Sequence, residues 1–434
     1  MTGLAVEARS PAAGSVGSRP LLDRLMLGYA ALWIVFLIGG FRMPWEPIPL
    51  DEDATFSFRR QAVFTLGAAL ALHRLVQRGQ LGARIGWHLP WVGVALFLLS
   101  SLAWSTDLVL TGKRSLVHVF GVMLLLGTVD VGRRPVHDYL RTVVLAIGAC
   151  AWIALVQERI YPADCWSIPW RAGLAGLAGH PNVFGPCMQM GFLLSLAIRP
   201  DDLREAVVMR TLQAGLLVAL WRTDSMTSVT STLAATGLWV LLRARSYRAG
   251  MIQIGIVFAG LVAVLVGLDE VRAAFFSATG RDESLSGRDA LWTTVYEHAR
   301  ERWLLGSGFG AFWYEGRGLE LVYTWNPKQA HHAYIDVIAE LGYVGLFFVL
   351  VLVPLRLFAW WHRCAGPRGS ARRDAVAAIT ATTVVLFAMT AFSESFFLRM
   401  DKMQWFVTAW GLMLLENRGP NRVEHEFGDA LPSS

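Results

Sequence analysis

Residues 333–355 read AYIDVIAELGYVGLFFVLVLVPL, with Asp336 and Glu340 the only charged side chains among these 23 positions. A helix needs roughly 20 predominantly apolar residues to cross a hydrocarbon core about 30 Å thick. The segment therefore predicts a membrane-spanning helix. Eleven more apolar runs surround it, at 24–41, 60–76, 88–104, 115–130, 139–157, 182–198, 207–221, 228–242, 251–268, 375–392 and 403–416. Apolar residues make up 54% of the 434-residue chain, and the 41 glycines bring that share to about 63%, against roughly 45–50% in soluble domains. Charged residues are 17%, where roughly 25% is usual. With 18 Trp and 23 Phe, this composition excludes a disordered protein, a collagen-like rod and an ordinary cytosolic enzyme. The expected fold is an all-α polytopic membrane bundle of about twelve transmembrane helices.

Arginine placement assigns the sides. Basic residues accumulate in cytoplasmic connections. Here the even-numbered connections hold Arg78 and Arg84; Arg133 and Arg134; Arg199 and Arg204; Arg243, Arg245 and Arg248; and Arg363, Arg368, Arg372 and Arg373. The odd ones carry acids such as Asp51, Glu52 and Asp53, or mixed charge. Both termini are expected in the cytoplasm. The net charge of +6 thus reflects topology rather than nucleic-acid binding. Cys150, Cys165, Cys187 and Cys364 form no CxxC pair, so neither a zinc site nor a disulfide framework is indicated. The expected organisation is a loose cytoplasmic tail at 1–20 without a cleavable signal peptide, nine spans over 21–268, a large outer loop at 269–332, three spans over 333–416, and a cytoplasmic tail at 417–434.

A connection longer than about 15 residues usually has structure or function of its own, and the outer loop before residue 333 is far longer. A helix is expected from Gly287 to Leu305, with Ser286 as its cap and Leu291, Trp292, Val295, Ala299 and Trp303 as an apolar stripe. A glycine turn, Gly306-Ser307-Gly308-Phe309-Gly310, follows, then an aromatic segment with Phe312, Trp313, Tyr314, Tyr323 and Trp325. Such rings suit the lipid–water interface, with stacking on sugars as the alternative. Three outward segments concentrate reactive groups: Pro169-Trp170-Arg171 through Gly179-His180-Pro181-Asn182; Gly287-Arg288-Asp289-Ala290-Leu291-Trp292; and His331-His332 leading into Gly342-Tyr343-Val344-Gly345.

These segments resemble the O-antigen ligase and Wzy-type polysaccharide polymerase superfamily. The family motif places a histidine and a small polar residue nine residues ahead of Gly-x-x-Gly, at the start of the span after a large periplasmic loop. His331-His332, nine residues and Gly342-x-x-Gly345 reproduce that spacing. The Gly-Arg-x-x-Leu-Trp helix, its Gly-x-Gly turn and the Arg…Gly-His-Pro-Asn segment add to the likeness, which covers roughly residues 165–350. Where the family carries Asn, Ser or Gln, this chain carries His332, and the register favours His331 as the acting residue.

The resemblance implies metal-independent, inverting glycosyl transfer at the periplasmic face of a bacterial inner membrane, with no cofactor. The donor would be an undecaprenyl-diphosphate-linked oligosaccharide. The acceptor glycan would be another lipid-linked repeat unit (polymerase) or lipid A–core (ligase), with a chain-length regulator as a further candidate partner. The residues suit this chemistry. A departing diphosphate gathers negative charge, and arginine offers a permanently charged fork of donors; Arg171 and Arg288 are the candidates. The attacking hydroxyl needs a base, and an imidazole near its ordinary pKa of about 6.5 can take the proton; His331 is assigned that part. His332, His180 and Asn182 are candidate substrate contacts.

Each assignment has a plainer alternative. Arg288 could be a solvated charge beside Asp289 or Glu283, and Arg171 a basic residue next to an interfacial tryptophan. His180 could serve helix entry before Pro181. Asp336 lies four residues beyond His332, so the two share a helix face and could hydrogen-bond. Glu340, costly inside an apolar run, is expected to pair with an arginine rather than act as the base. The hydroxyl-rich stretch from Asp224 to Thr232 could contact glycan or satisfy its own helix backbone. As to function class, a transporter would show matched halves with interrupted helices, and no internal repeat is evident. A passive export scaffold would not depend on Arg288 or His331.

Overall fold

The computed structural model describes residues 20–39, 45, 58–132, 134–168, 173–244, 288–313, 327–364 and 370–416. Among them are fourteen α-helices and no β-strand: α1 Pro20–Gly39, α2 Phe58–Gln77, α3 Leu81–Trp87, α4 Leu89–Ser100, α5 Leu108–Thr128, α6 Pro135–Ile160, α7 Pro181–Ser195, α8 Leu203–Arg222, α9 Met226–Ala244, α10 Arg288–Arg300, α11 Ala333–Phe347, α12 Val353–Cys364, α13 Ala371–Ala388 and α14 Met403–Glu416. The bounds follow local chemistry. Proline opens α6 and α7, where a missing N–H costs nothing. The carboxylates of Asp107 and Asp202 and the hydroxyl of Ser370 accept the exposed first-turn amides of Leu110, Glu205 and Arg373.

Eleven of the twelve expected runs fall wholly or mainly on these residues, and all eleven are helical. The run 251–268, both tails, Arg171, Ser286, Tyr314, Tyr323 and Trp325 lie outside the described residues. Five helical segments among the described residues are long and apolar enough to cross a membrane, or six if one sharply bent pair counts as a single span. That pair is the 88–104 run together with the helix before it: α3 and the segment beginning with α4 meet at 87°.

The centre of the bundle is α13 with α14. Every residue of α13 is buried, as are Met403 to Leu415 of α14. Alanines of α13 let its neighbours α7, α9 and α12 approach closely. The outer helices leave large apolar side chains exposed, among them Leu145, Trp152 and Val156 on α6, Leu217 and Val218 on α8, and Phe347 and Leu350 around the end of α11. In water such a belt would drive association; in a bilayer it is the ordinary lipid contact. The chain is a multi-pass membrane protein.

One end of the bundle is sewn by ion pairs. Arg74, fully buried, reaches Asp23 at 3.1 Å and Asp130 at 2.9 Å. Arg78 pairs with Asp23, Arg84 with Asp130, Arg199 and Arg243 with Asp374, and Arg134 and Arg141 with Asp201. Five of the thirteen arginines that the side assignment counted as basic, Arg78, Arg84, Arg134, Arg199 and Arg243, are therefore also structural staples. The opposite end gathers the Ser101–Asp107 connection, the start of α7, the α8–α9 turn, the glycine turn, the His331-His332 turn and the segment between α13 and α14. The 3-10 turn Thr390–Phe392 packs on both α9 and α11, which joins the last of these groups.

Candidate functional site

The loop helix α10 is held against α11 by its apolar stripe. Leu291, Val295 and Ala299 are buried with Phe312, Trp313, Ala330 and Ala339. Trp303, expected to complete that stripe, is 56% exposed, because α10 ends at Arg300. Beyond it the chain crosses α11 at a break. Gly342 has φ 63° and ψ −165°, outside helical geometry, which frees backbone groups on either side. The glycine turn takes them up. Ser307 N donates to Ala339 O at 3.1 Å and Gly308 N to Glu340 O at 2.9 Å, while Tyr343 N and Val344 N donate to Trp303 O and Leu304 O at 2.9 and 3.2 Å.

Gly306 and Gly342 face each other's backbone, and a Cβ on either would collide with the opposing chain. The same turn is fastened to the α4–α5 connection by Thr106 N to Ser307 O at 2.9 Å and Phe309 N to Ser101 Oγ at 3.1 Å. Four of its amides, those of Gly306, Ser307, Gly308 and Phe309, are thus committed within the protein. It is a clasp, not a phosphate cradle.

The clasp fixes where the turn ahead of α11 lies. His331 has φ +51°, a left-handed conformation that costs a non-glycine residue roughly 1–2 kcal/mol. It is half-buried, with Gln329 Nε2 3.3 Å from its Nδ1. His332 is the N-cap of α11: its Nδ1 accepts from Ile335 N at 3.4 Å. Rings of Trp292, Phe392 and Tyr334 enclose it, with centroids at 4.9, 5.0 and 5.9 Å. Burial pushes the His332 imidazole down to about 4, so it stays neutral at neutral pH. With Nδ1 accepting, the proton of the neutral ring sits on Nε2, which leaves the ring poorly placed to take another.

Asp336 does not bond the His332 imidazole as expected. Its carboxylate accepts from Trp313 Nε1 at 2.8 Å, from Ala330 N at 3.1 and 3.3 Å, and from the Ser395 hydroxyl. Ser395 Oγ in turn accepts from His332 N at 3.2 Å. Glu340 does pair with an arginine: Arg399 NH2 lies 2.5 Å from its Oε1, and Arg114 NH1 stands 3.6 Å away. Sequence reasoning missed Arg114, Ser395 and Arg399. For the two arginines a signal was available, as basic residues in connections that the arginine count had assigned to the outer side, where such residues are expected to be scarce.

Arg288 is the first residue of α10, one turn ahead of the Trp292 that packs on His332. His180 and Asn182 sit elsewhere at the same end. His180 is the N-cap of α7, its Nδ1 accepting from Asn182 N at 3.1 Å, and Asn182 Oδ1 faces Ser225 Oγ at 3.4 Å. The hydroxyl-rich stretch serves helix packing. Ser231 Oγ donates to Gln189 Oε1 at 2.8 Å, and Thr230 and Thr232 donate to carbonyls four residues back. A cavity of about 490 Å³ opens beside it, lined by Trp166, Ser167, Trp221, Asp224, Ser225 and Met226 among others. Among the described residues no group of three or more His, Cys, Asp or Glu side chains is arranged to hold a metal ion.

A multi-pass helical membrane protein with a loop helix and a paired-histidine turn clasped onto one bundle end is the class these features define. Residues 212–350, from α8 through α11, match the family described as O-Antigen ligase. The chain is also 26% identical over 302 residues to the exopolysaccharide production protein ExoQ of Rhizobium meliloti (strain 1021), an alignment covering 63% of this chain and 65% of that relative. The chain thus spans just under two thirds of that relative's length. The likeness to the O-antigen ligase and Wzy-type superfamily, drawn from the loop motifs, stands on both matches.

Proposed function

We propose that this protein is a glycosyltransferase of the bacterial inner membrane that lengthens an exported polysaccharide by joining undecaprenyl-diphosphate-linked repeat units at the periplasmic face. The observation that carries the reading is the division of labour in the histidine pair. His332 is consumed as a caged helix cap, while His331 is presented half-buried on a strained turn. Strain of this kind persists where the surroundings over-determine it, and it concentrates at working sites. The acceptor hydroxyl attacks the anomeric carbon of the donor and gives its proton to His331. The bond from that carbon to the diphosphate breaks with inversion, and the leaving group keeps the electron pair. Arg288 and Arg171 hold the diphosphate as charge builds on it, without a metal ion.

The name of the relative, an exopolysaccharide production protein, favours chain extension. The description of the matching family favours the second reading, transfer of a finished glycan to lipid A–core by an O-antigen ligase. Purified full-length protein supplied with isotope-labelled lipid-linked repeats separates them. Products that lengthen without lipid A–core mean polymerase, and a single transfer onto core means ligase. Complementation of a polymer-deficient strain tests the residues. His331→Ala is expected to leave no detectable polymer in cells at normal membrane abundance, with only residual turnover measurable on purified protein, while His332→Asn retains polymer. Full polymer synthesis by His331→Ala would end this reading.

A further inference from the structure

The backbone N–H groups of the two residues flanking His331 are anchored to Asp336, one directly and the other through Ser395. Ala330 N donates to both oxygens of Asp336, and His332 N donates to Ser395 Oγ, whose hydroxyl donates to Asp336. Trp313 Nε1, from the segment that follows the glycine turn, donates to the same carboxylate at 2.8 Å. Asp336 is 3% exposed, so water does not compete for these bonds. Three chain segments that are remote from one another, around 313, 330–332 and 395, therefore meet on a single carboxylate, and the residue they enclose carries the left-handed φ. A carboxylate is the one side chain of this size that accepts at both ends and donates at neither.

We propose that Asp336 is the positioning residue of the site: it sets the left-handed turn that presents the His331 imidazole, with Ser395 as its relay to the far side of that turn. This rests on His331 being the base. Asp336 does not meet substrate. Its own oxygens are occupied, and its effect runs through the geometry of residue 331. Asparagine at this position would keep one acceptor but place an N–H₂ among donors, loosening the turn with little change in volume.

The test is a cycle of Asp336→Asn, His331→Ala and the double variant in full-length protein, reading extension of labelled lipid-linked repeats alongside melting temperature and membrane abundance. Asp336→Asn is expected to lower kcat roughly 10- to 100-fold with KM nearly unchanged, since a small displacement of a catalytic group costs on that order. On the His331→Ala background it is expected to add less than about twofold, because the group it positions is gone. A second readout needs no turnover. The rate at which diethylpyrocarbonate modifies His331, located by peptide mass spectrometry, is expected to change several-fold in Asp336→Asn. Equal losses on both backgrounds, an unchanged kcat, or an unchanged modification rate would each overturn the inference. If Asp336→Asn does not accumulate in the membrane, Ser395→Ala takes its place with the same expectations. His331→Ala at full rate would overturn the base assignment itself, so the two failures are distinguishable.

Discussion

Glu340 and Arg399 meet at 2.5 Å inside the bundle, 59 residues apart in sequence and 3% and 8% exposed. A buried pair of this kind contributes little net stability compared with apolar residues, yet removing one partner strands the other charge, at about 3–5 kcal/mol. Glu340→Ala is therefore expected to lower the melting temperature of the detergent-solubilised protein sharply. The double replacement Glu340→Gln with Arg399→Met is expected to lose less than the sum of the two single changes. Additive losses would mean that the pair is not coupled.

The clasp predicts a contrast between glycines. Gly342→Ala puts a Cβ into the Leu304 backbone at φ +63° and breaks the crossing that fixes the loop. It is expected to reduce folded protein and open the loop to protease. At Gly237, in the middle of α9, an added Cβ would meet nothing within 4 Å, and alanine there is expected to be neutral or to stabilise by about 0.5–1 kcal/mol. Limited proteolysis of the two variants decides the point.

His332 predicts an acid-sensitive stability. Its folded pKa lies near 4, below the ordinary value of about 6.5. Between those values the unfolded chain binds the extra proton and the folded one does not, so stability falls as pH drops from about 6.5 to 4. Melting temperature is expected to decline across that window. His332→Asn keeps a good helix cap and is expected to flatten the decline. A slope unchanged in the variant would assign the acid lability to other groups.

The proposed orientation predicts which sites are reachable from outside. Trp303, 56% exposed beside the clasp, and Arg204, exposed at the start of α8, lie at opposite ends of the bundle. In cells with a permeabilised outer membrane, Trp303→Cys is expected to react with an impermeant maleimide and Arg204→Cys to stay protected until the inner membrane is broken. The described native cysteines Cys150, Cys165 and Cys187 are buried and should give little background.

Much of this was legible in the chain. Apolar runs mark spans because the bilayer imposes a length and a polarity on any helix that crosses it, and the runs on described residues are helical, with most ends shifted by four positions or fewer, although α5 begins at Leu108 and the helix from Ala333 continues through α12 to Cys364. The spacing from His331 to Gly342-x-x-Gly345 was readable for the same reason: motif and helix are local. Glu340 was expected to need a cation because a lone carboxylate in an apolar run is unstable wherever the run goes. That its partner is Arg399 was not readable, since a pairing over 59 residues depends on how α11 meets the segment after α13.

The sequence by itself determined the membrane class, the helical spans and the candidate histidine pair, because composition and period act through nearest neighbours and the bilayer. Tertiary structure alone decided which histidine caps a helix and which is presented. It also decided that the glycine turn closes a break in α11, and that Asp336 binds the turn ahead of its helix. Those outcomes belong to contacts between distant segments, such as Thr106 with Ser307 and Ser395 with Asp336, and a pattern along one stretch of chain carries no record of what will be packed against it.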